Sequence, residues 1–292
     1  MRRQFKDTII ALADADPRVA VILGDVAVFM FQEFQRRNPG RFYNMGICEN
    51  TLISAAAGLA STGLLPFVHT IAPFLTERCL EQIKLDCSYN RFPVNIVTCG
   101  ASFDYAWDGP THHSYTDLAM LRLLPDMEVI QPGSRREADA LVRKTYDSGN
   151  PTYIRLSDHP HDVETNLEFG KGTVLRHSPT AEVTVMTAGP ILANVLPACE
   201  ELDVNLVYFH TLKPIDREMV ERFRHSRILV VHDAFGLREA INEVPGLRSW
   251  YHGIPDHYCT SYGTVHDIRT LIGLDAPGIR KAITALQETA AE

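Results

Sequence analysis

The chain has 292 residues, of which 45% are hydrophobic and 22% are charged, and its formal net charge is −8. This length is enough for two globular domains that each bury a core. The negative charge, without any run of lysine or arginine, argues against nucleic acid or an anionic membrane as a partner. No long apolar run follows the charged first residues, so we expect neither a signal peptide nor a membrane span, and a cytoplasmic location.

Helix-like and strand-like segments alternate through the first half. The predicted helices span 4–15, 50–62, 74–90, 117–124 and 134–148, and the predicted strands span 19–23, 65–69, 94–98, 127–130 and 152–156. Ser134, with Glu137 three residues later, is the candidate N-cap of the last helix. This alternation predicts a parallel sheet covered by helices on both faces. We therefore expect one α/β domain over residues 1–158.

A polar and irregular stretch follows, and we interpret residues 159–171 as a linker. Beyond it, the predicted strands span 182–187, 205–209 and 227–231, and the predicted helices span 191–202, 217–223 and 278–289. These segments predict a second, smaller α/β domain over residues 172–292. The predicted fold class is thus α/β, with two parallel-sheet domains.

A carboxylate stands at the start of a helix that is rich in small residues. Glu49 and Asn50 are followed by the run Thr51–Leu59, in which alanine, serine and glycine let another backbone approach closely. We expect such a helix to be buried, and burial raises the pKa of a carboxyl because it disfavours the ionised form. Glu49 is therefore a candidate proton-handling residue. The alternative is a glutamate that faces water and is favoured by the helix dipole.

A second cluster of polar residues is the motif Asp108-Gly-Pro-Thr-His112. It lies between a predicted strand and a predicted helix, which is where open α/β sheets bind ligands. Glycine and proline make the turn rigid, so the carboxylate, hydroxyl and imidazole are held in fixed positions, as polyol recognition and proton transfer require. The alternative is a tight turn with ordinary surface residues.

Neither a metal site nor a complete phosphate site is predicted. His112 and His113 are adjacent and would diverge, while His159 and His161 lack partners at zinc-like spacing. Gly24-Asp25-Val26 resembles part of a phosphate loop but lacks the second glycine, and no GxGxxG or P-loop pattern follows any strand. We expect no diphosphate group to be held by this chain alone.

Several motifs together resemble the transketolase family. Those of the first half resemble its pyrimidine-binding domain, and those of the second half resemble its C-terminal domain. In chain order they are Gly46–Asn50, Pro66–Phe74, Glu81–Ile83, Asp108–His112, Leu121–Pro132, Pro151–Leu156, Val183–Gly189 and His210–Asp216. The resemblance spans nearly the whole chain but only the C-terminal two thirds of a full-length transketolase.

The resemblance implies thiamine diphosphate as cofactor, together with Mg²⁺. The diphosphate-binding domain of the family, which holds the metal, has no counterpart in this sequence. We therefore expect a split enzyme in which an N-terminal transketolase subunit supplies the Mg²⁺ ligands, with an α2β2 heterotetramer as the expected assembly.

For the cofactor, the resemblance implies four residues. Glu49 matches the glutamate that hydrogen-bonds the aminopyrimidine and promotes the proton removal that activates the cofactor. Phe74 matches the aromatic residue that stacks on the pyrimidine, and the alternative is a core phenylalanine. Asp25 and Arg78 lie where the family has an acid and, in some members, an arginine near the cofactor. Structural capping and a surface ion pair are their alternatives.

For the substrate, the resemblance implies Asp108 and His112, which match residues that contact the hydroxyls of the donor ketose. His112 is also a candidate for proton relay, and His69 is a third candidate for substrate binding. Ser157-Asp158-His159 stands where many transketolases carry an arginine for the substrate phosphate, and a carboxylate would repel that group. The acceptor is therefore expected to differ from an ordinary sugar phosphate, or to be held by the partner.

The function expected from the resemblance is transfer of a two-carbon ketol unit from a ketose to an aldehyde acceptor, including an unusual or non-phosphorylated one. One alternative is a thiamine enzyme that uses an α-keto acid, similar to deoxyxylulose-phosphate synthase or to a dehydrogenase β subunit. Another is a non-catalytic interaction subunit. Glu49, Phe74, Asp108 and His112 argue against the latter, because a scaffold does not need all four.

Overall fold

The computed structural model of the chain describes residues 1–289. Its strands form two sheets. They are β1 (Val19–Leu23), β2 (Phe42–Asn44), β3 (Leu65–Ile71), β4 (Asn95–Cys99), β5 (Glu128–Ile130), β6 (Thr152–Arg155), β7 (Thr173–Arg176), β8 (Val183–Ala188), β9 (Asn205–Phe209), β10 (Thr211–Lys213), β11 (Arg227–His232) and β12 (Ser249–Gly253).

Helices cover both sheets. They are α1 (Arg2–Ala15), α2 (Gln32–Arg37), α3 (Glu49–Ser61), α4 (Ala72–Thr76), α5 (Leu80–Gln82), α6 (Asp117–Arg122), α7 (Arg135–Thr145), α8 (Leu192–Ala198), α9 (Arg217–Arg222), α10 (Leu237–Asn242), α11 (Val265–Leu271) and α12 (Ala276–Glu288). Four short 3₁₀ turns of the described chain span Val28–Phe31, Pro39–Arg41, Ala106–Asp108 and Gly189–Ile191, and a π-helical segment spans Ile83–Tyr89.

The strand order of the first sheet is β10-β5-β6-β4-β3-β1-β2, and that of the second is β12-β11-β8-β9-β7. All pairings are parallel except two at the edges, β10 with β5 and β7 with β9. The predicted α/β class with two sheets is therefore confirmed, with one antiparallel edge strand added to each sheet. Central strands such as β1 and β4 are buried along their whole length, which explains their continuous apolar runs.

Helix α3 lies close to the first sheet because Gly24 has no side chain. An ideal Cβ at Gly24 would lie 2.8 Å from the side chain of Leu52 and 3.0 Å from that of Thr70. The inner face of α3, which includes Leu52, Ile53 and Ala56, is fully buried. The tight packing sets the start of α3 at the carboxyl end of β1.

The predicted helix over 74–90 is interrupted in the structure. It consists of α4, α5 and the π-helical segment, and after Pro73 the backbone turn widens. The amides of Glu77 and Arg78 both donate to the Pro73 carbonyl, at 3.0 and 3.4 Å. The predicted N-cap of α7 is confirmed. The Ser134 hydroxyl accepts a hydrogen bond from the amide of Glu137 at 3.2 Å, as in a capping box.

The two halves of the chain share a sheet and a buried contact. Strand β10 follows directly on β9 of the second sheet but pairs with β5 of the first. At the end of β5, Gln131 is fully buried and bonds His232 of β11 at 2.7 Å. Gly189 permits this approach, since a Cβ there would lie 2.5 Å from the Gln131 side chain. Within residues 159–171, His161 is buried against Tyr208 at 3.3 Å.

Candidate active site

Glu49 is the first residue of α3, and its side chain is 3% exposed. The water-facing alternative for this glutamate therefore does not hold. The carboxylate accepts a hydrogen bond of 2.7 Å from the Arg78 guanidinium, which is 48% exposed. The charge of Glu49 also acts on the thiol of Cys79. The burial of Cys79 itself is the first cause that raises the pKa of this thiol to about 12, and the Glu49 charge is the second. The site thus begins with a buried carboxylate that has one half-exposed partner.

Phe74 lies between this carboxylate and the polar loop. The Arg78 guanidinium lies 4.7 Å from the centroid of the Phe74 ring. On another side, the rings of Phe74 and His112 are 5.0 Å apart in an edge-to-face arrangement. The widened turn after Pro73 positions both Phe74 and Arg78. Glu49, Arg78, Phe74 and His112 therefore form one continuous series of contacts, although they come from three separate segments of the chain.

His112 is half-buried at the end of the Asp108–His112 loop. Its Nδ1 lies 2.9 Å from the Thr111 hydroxyl, which leaves Nε2 as the ring nitrogen available to a ligand. Its ring also lies 6.2 Å from that of Tyr105. Asp108 is exposed, and among the described residues no side chain or amide donates to its carboxylate. A free carboxylate and a free imidazole nitrogen are the groups that bind hydroxyls of a polyol.

The neck of this loop is closed by an antiparallel bridge between Ser102 and Ser114, with amide-to-carbonyl distances of 2.8 and 2.9 Å. Arg155, at the end of β6, donates to the Ser102 hydroxyl at 3.0 Å and to the Ser114 carbonyl. Its Nε pairs with Asp117 at 2.9 Å, and both side chains are fully buried. Tyr153 donates to the same carboxylate at 2.5 Å. This buried network holds the loop that carries Asp108 and His112.

Asp25 lies at the carboxyl end of β1, with φ of 60°, and is exposed. Its amide donates to the Asn44 side chain at 3.0 Å, and Asn44 donates back to its carboxylate at 3.2 Å. Asp25 is therefore held at the same sheet edge as Glu49, without direct contact between them in the described chain.

His69 is placed differently from the other candidates. It is fully buried, its Nδ1 lies 2.9 Å from the Val97 carbonyl, and its ring lies 5.1 Å from that of Phe5. Burial is the main cause that lowers the pKa of His69 to about 4. Asp108 and His112 belong to one loop, whereas His69 lies in the core beneath α1.

Asp158, which was expected to repel a substrate phosphate, is paired with a cation. Arg2 donates to its two carboxylate oxygens at 3.3 and 3.1 Å. The amide of Asp158 in turn donates to fully buried Asp104 at 2.9 Å. The expected repulsion of a phosphate by Asp158 is therefore offset by Arg2. Sequence reasoning missed this contact because the two residues are 156 positions apart.

His112 and His113 diverge, as predicted. His113 is buried with its ring 5.0 Å from that of Phe103, and burial lowers its pKa. Within residues 1–289, no three histidine, cysteine or acidic side chains are grouped closely enough to hold a metal ion. The same residues contain no helix that is both long and apolar enough to cross a bilayer.

Sequence reasoning also missed Arg155 and Tyr262. Arg155 was visible only as part of a strand, and its polar role requires the Ser102–Ser114 bridge to be known. Tyr262 belongs to the second half, yet a Cβ at Gly109 would lie 2.5 Å from its ring. An aromatic residue in an otherwise polar stretch was the only signal for it.

Comparison with known proteins supports the expected resemblance. The family model described as "Transketolase, pyrimidine binding domain" matches residues 1–159. One subunit of the apulose-4-phosphate transketolase of Phocaeicola vulgatus is 30% identical over 98% of this chain and 96% of that protein. A 1-deoxy-D-xylulose-5-phosphate synthase of Thermus thermophilus is 31% identical over 97% of this chain, which spans only 48% of that protein.

Among solved structures, a split-gene transketolase described as an inactive tetramer of beta chains has a TM-score of 0.85 at 28% identity. The match covers 97% of each chain. The prediction of a transketolase-like chain corresponding to the C-terminal section is confirmed by these matches. With more than half of its length matched by the family model, the chain belongs to the transketolase family.

Proposed function

We propose that this chain is the C-terminal subunit of a split, thiamine-diphosphate-dependent transketolase that transfers a two-carbon ketol unit from a ketose to an aldehyde. The family supports a transferase in general. The observation that carries the finer proposal is the series of contacts from buried Glu49 through Arg78 and Phe74 to His112. It joins a carboxylate suited to an aminopyrimidine with an imidazole suited to a hydroxylated substrate.

The residues present fit the pyrimidine half of thiamine diphosphate. Glu49 offers a buried carboxyl whose described partner, Arg78, is half-exposed and can turn towards solvent. Phe74 offers a partly open ring for stacking with a flat heterocycle. When bound, the cofactor supplies the electron sink that allows a bond next to a carbonyl to be broken. Asp25 and Arg78 stay candidates for further contacts with it.

The surroundings of Glu49 support a partner subunit. Ile47 is 72% exposed two residues before Glu49, and Phe29 is 85% exposed in the segment after β1. Exposed large apolar side chains beside a functional site are typical of a protein interface. We propose that an N-terminal transketolase subunit covers this face and supplies the Mg²⁺ ligands and the diphosphate site, in an α2β2 assembly. A cytoplasmic location stays a prediction, consistent with six free cysteines.

In the proposed reaction, the residues of this chain bind, orient and move protons. Glu49 holds a proton at the pyrimidine edge. Asp108 accepts hydrogen bonds from donor hydroxyls, and His112 exchanges a proton with a donor hydroxyl through Nε2. Arg155 and Asp117 keep the loop in place below them. The ring of Phe74 excludes water between the carboxyl and the imidazole.

A second candidate function is condensation that starts from an α-keto acid. The similarity to the Thermus thermophilus synthase, at 31% identity, favours it. The two reactions differ in the donor. L-Erythrulose donates a ketol unit without loss of carbon dioxide, whereas pyruvate must release carbon dioxide, so measurement of both donors separates them.

Calorimetric titration of thiamine diphosphate with Mg²⁺ tests the proposal. The titration is made first into this chain alone and then into the chain co-purified with the product of its neighbouring gene. Binding only to the complex is the expected result. Glu49→Gln should weaken cofactor binding and abolish transfer from L-erythrulose, whereas Glu200→Gln, at an exposed position of the second half, should change neither. Tight binding to the isolated chain would overturn the requirement for a partner.

A further inference from the structure

Tyr262 of the second half reaches the loop that carries Asp108 and His112. It lies in the segment 254–264, between β12 and α11. A Cβ at Gly109 would lie 2.5 Å from Cε1 of the Tyr262 ring, and Gly109 has φ of 73°. No residue with a side chain can replace this glycine without moving the tyrosine. The ring is nevertheless 67% exposed, so only one edge is used for this contact.

The segment 254–264 is anchored on the inner side of the loop. Ile254 and Cys259 are buried in a small apolar cluster with Phe103 and Ala106 of the loop. These contacts place the segment without using Tyr262. The exposed part of the tyrosine ring is therefore not needed to hold the two segments together.

A second exposed aromatic ring belongs to the residue before Asp108 in the same loop. Trp107 directly precedes Asp108 and is 59% exposed. Its ring lies 5.5 Å from that of Tyr105, which itself lies 6.2 Å from the His112 ring. Along the loop, Asp108 thus stands between Trp107 and Gly109, and Gly109 is the residue that the Tyr262 ring contacts. We call Trp107 and Tyr262 the aromatic wall.

The charges of both segments disfavour a phosphate at this wall. Neither residues 100–116 nor residues 254–264 contain a lysine or an arginine, whereas they carry two exposed carboxylates, Asp108 and Asp256. A phosphate dianion held here would gain no ion pair from these segments and would meet carboxylates. A flat apolar group would instead gain contact with two rings.

We propose that the aromatic wall binds the acceptor, and that the preferred acceptors are non-phosphorylated aldehydes with an aromatic or similarly flat apolar group. This inference rests on the proposed function. In the transfer, the carbinol hydroxyl of the ketose gives up its proton as the bond between the carbonyl and carbinol carbons breaks, and a shortened aldehyde is released. The same carbonyl carbon then bonds to the aldehyde carbon of the acceptor, whose oxygen takes up a proton.

The test uses the complex with the partner subunit, thiamine diphosphate and Mg²⁺, with L-erythrulose as donor. The acceptors are benzaldehyde, propanal and D-ribose 5-phosphate, none of which returns L-erythrulose as product. We expect kcat/KM to be highest for benzaldehyde. Tyr262→Ala should lower that value about tenfold, the size of one aromatic pair interaction. The value for propanal should change less than about twofold, because this small acceptor does not reach the wall.

Tyr258→Ala is the matched control, since Tyr258 is 75% exposed in the same segment, and Tyr262→Phe should keep most of the activity with benzaldehyde. Calorimetric binding of benzyl alcohol, which does not react, gives an independent readout that Tyr262→Ala should weaken about tenfold. Equal loss with every acceptor, no effect of Tyr262→Ala, or preference for D-ribose 5-phosphate would overturn the inference. Absence of transfer from L-erythrulose to any acceptor would instead overturn the proposed function.

Discussion

Two buried histidines and one buried aspartate make the stability of the fold depend on pH. His69 and His232 are fully buried, and burial is the main cause that lowers the pKa of each to about 4. Asp104 is also fully buried, and burial raises its pKa to about 6. All three side chains are hydrogen-bonded inside the protein, so each titrates differently in the unfolded chain.

The sign follows from which state binds more protons. Unfolded, each histidine takes up a proton near pH 6.5, whereas folded it does so only near pH 4. Stability therefore falls as the pH drops from 6.5 to 4. At about 1.4 kcal/mol per pKa unit, each histidine costs about 2 kcal/mol by pH 5. Asp104 takes up its proton at a higher pH in the folded state than in the unfolded chain and offsets about 1.4 kcal/mol, so these three groups together contribute a loss of about 3 kcal/mol. Burial also lowers the pKa of His113, His161 and His210, and each of them adds to the loss.

Urea unfolding at pH 7, 6 and 5, at constant ionic strength, measures this loss. His232→Gln keeps an amide that can bond Gln131, and it should reduce the loss between pH 7 and pH 5 by about 2 kcal/mol. His257→Gln, at an exposed position, should leave the loss unchanged. Equal free energies of unfolding at pH 7 and pH 5, or the same loss in His232→Gln and in the wild type, would refute the reasoning.

Three further variants test the site and its support. Glu49→Gln should lower transfer from L-erythrulose by at least about 100-fold in the complex, because the amide cannot serve as the proton donor. Gly109→Ala should lower the free energy of unfolding by about 1–3 kcal/mol in urea titrations, because of its positive φ and the contact with Tyr262. Arg155→Met should cost about 3–5 kcal/mol, measured in the same way, because it leaves Asp117 buried without its cation.

Each of these variants has its own control. Glu49→Gln must keep the wild-type unfolding midpoint, since otherwise lost activity reports lost structure. Adding Tyr262→Ala to Gly109→Ala should recover the part of the lost unfolding free energy that comes from the clash with the tyrosine ring. If nothing is recovered, the whole loss comes from the strain of a positive φ at residue 109. The double variant Asp117→Leu and Arg155→Met should regain much of the stability that Arg155→Met loses. If the free energies of unfolding lost in the two single variants simply add in the double variant, the two residues do not form a direct pair.

Much of the fold follows from the sequence because the central strands are continuous apolar runs. Strands β1 and β4 were predicted to within one residue for that reason. Edge strands were missed because β7 is only half-buried and β10 has three residues, so neither shows a hydrophobic period. The predicted helix over 74–90 has the right apolar spacing, but spacing does not reveal that two amides share the Pro73 carbonyl.

In the candidate site, too, features that depend on local sequence were predicted, and contacts between distant segments were not. The burial of Glu49 follows from the small residues after it, and the Asp108–His112 loop follows from its own composition. Contacts between distant segments carry no such signal. The pairing of Arg2 with Asp158 and the contact of Tyr262 with Gly109 depend on how the sheet edges meet, which no local pattern encodes.

Strand β10 affects how this protein can be divided or recombined. It belongs by chain order to the second half but completes the edge of the first sheet beside β5. A fragment that stops within residues 159–171 would present β5 as an open edge, and open edges promote aggregation. A chimera that exchanges the second half with that of a relative must therefore match the register of Thr211 with Ile130. The chain passes from the first half to the second at residues 159–171, whereas the first sheet is complete only at β10, residues 211–213.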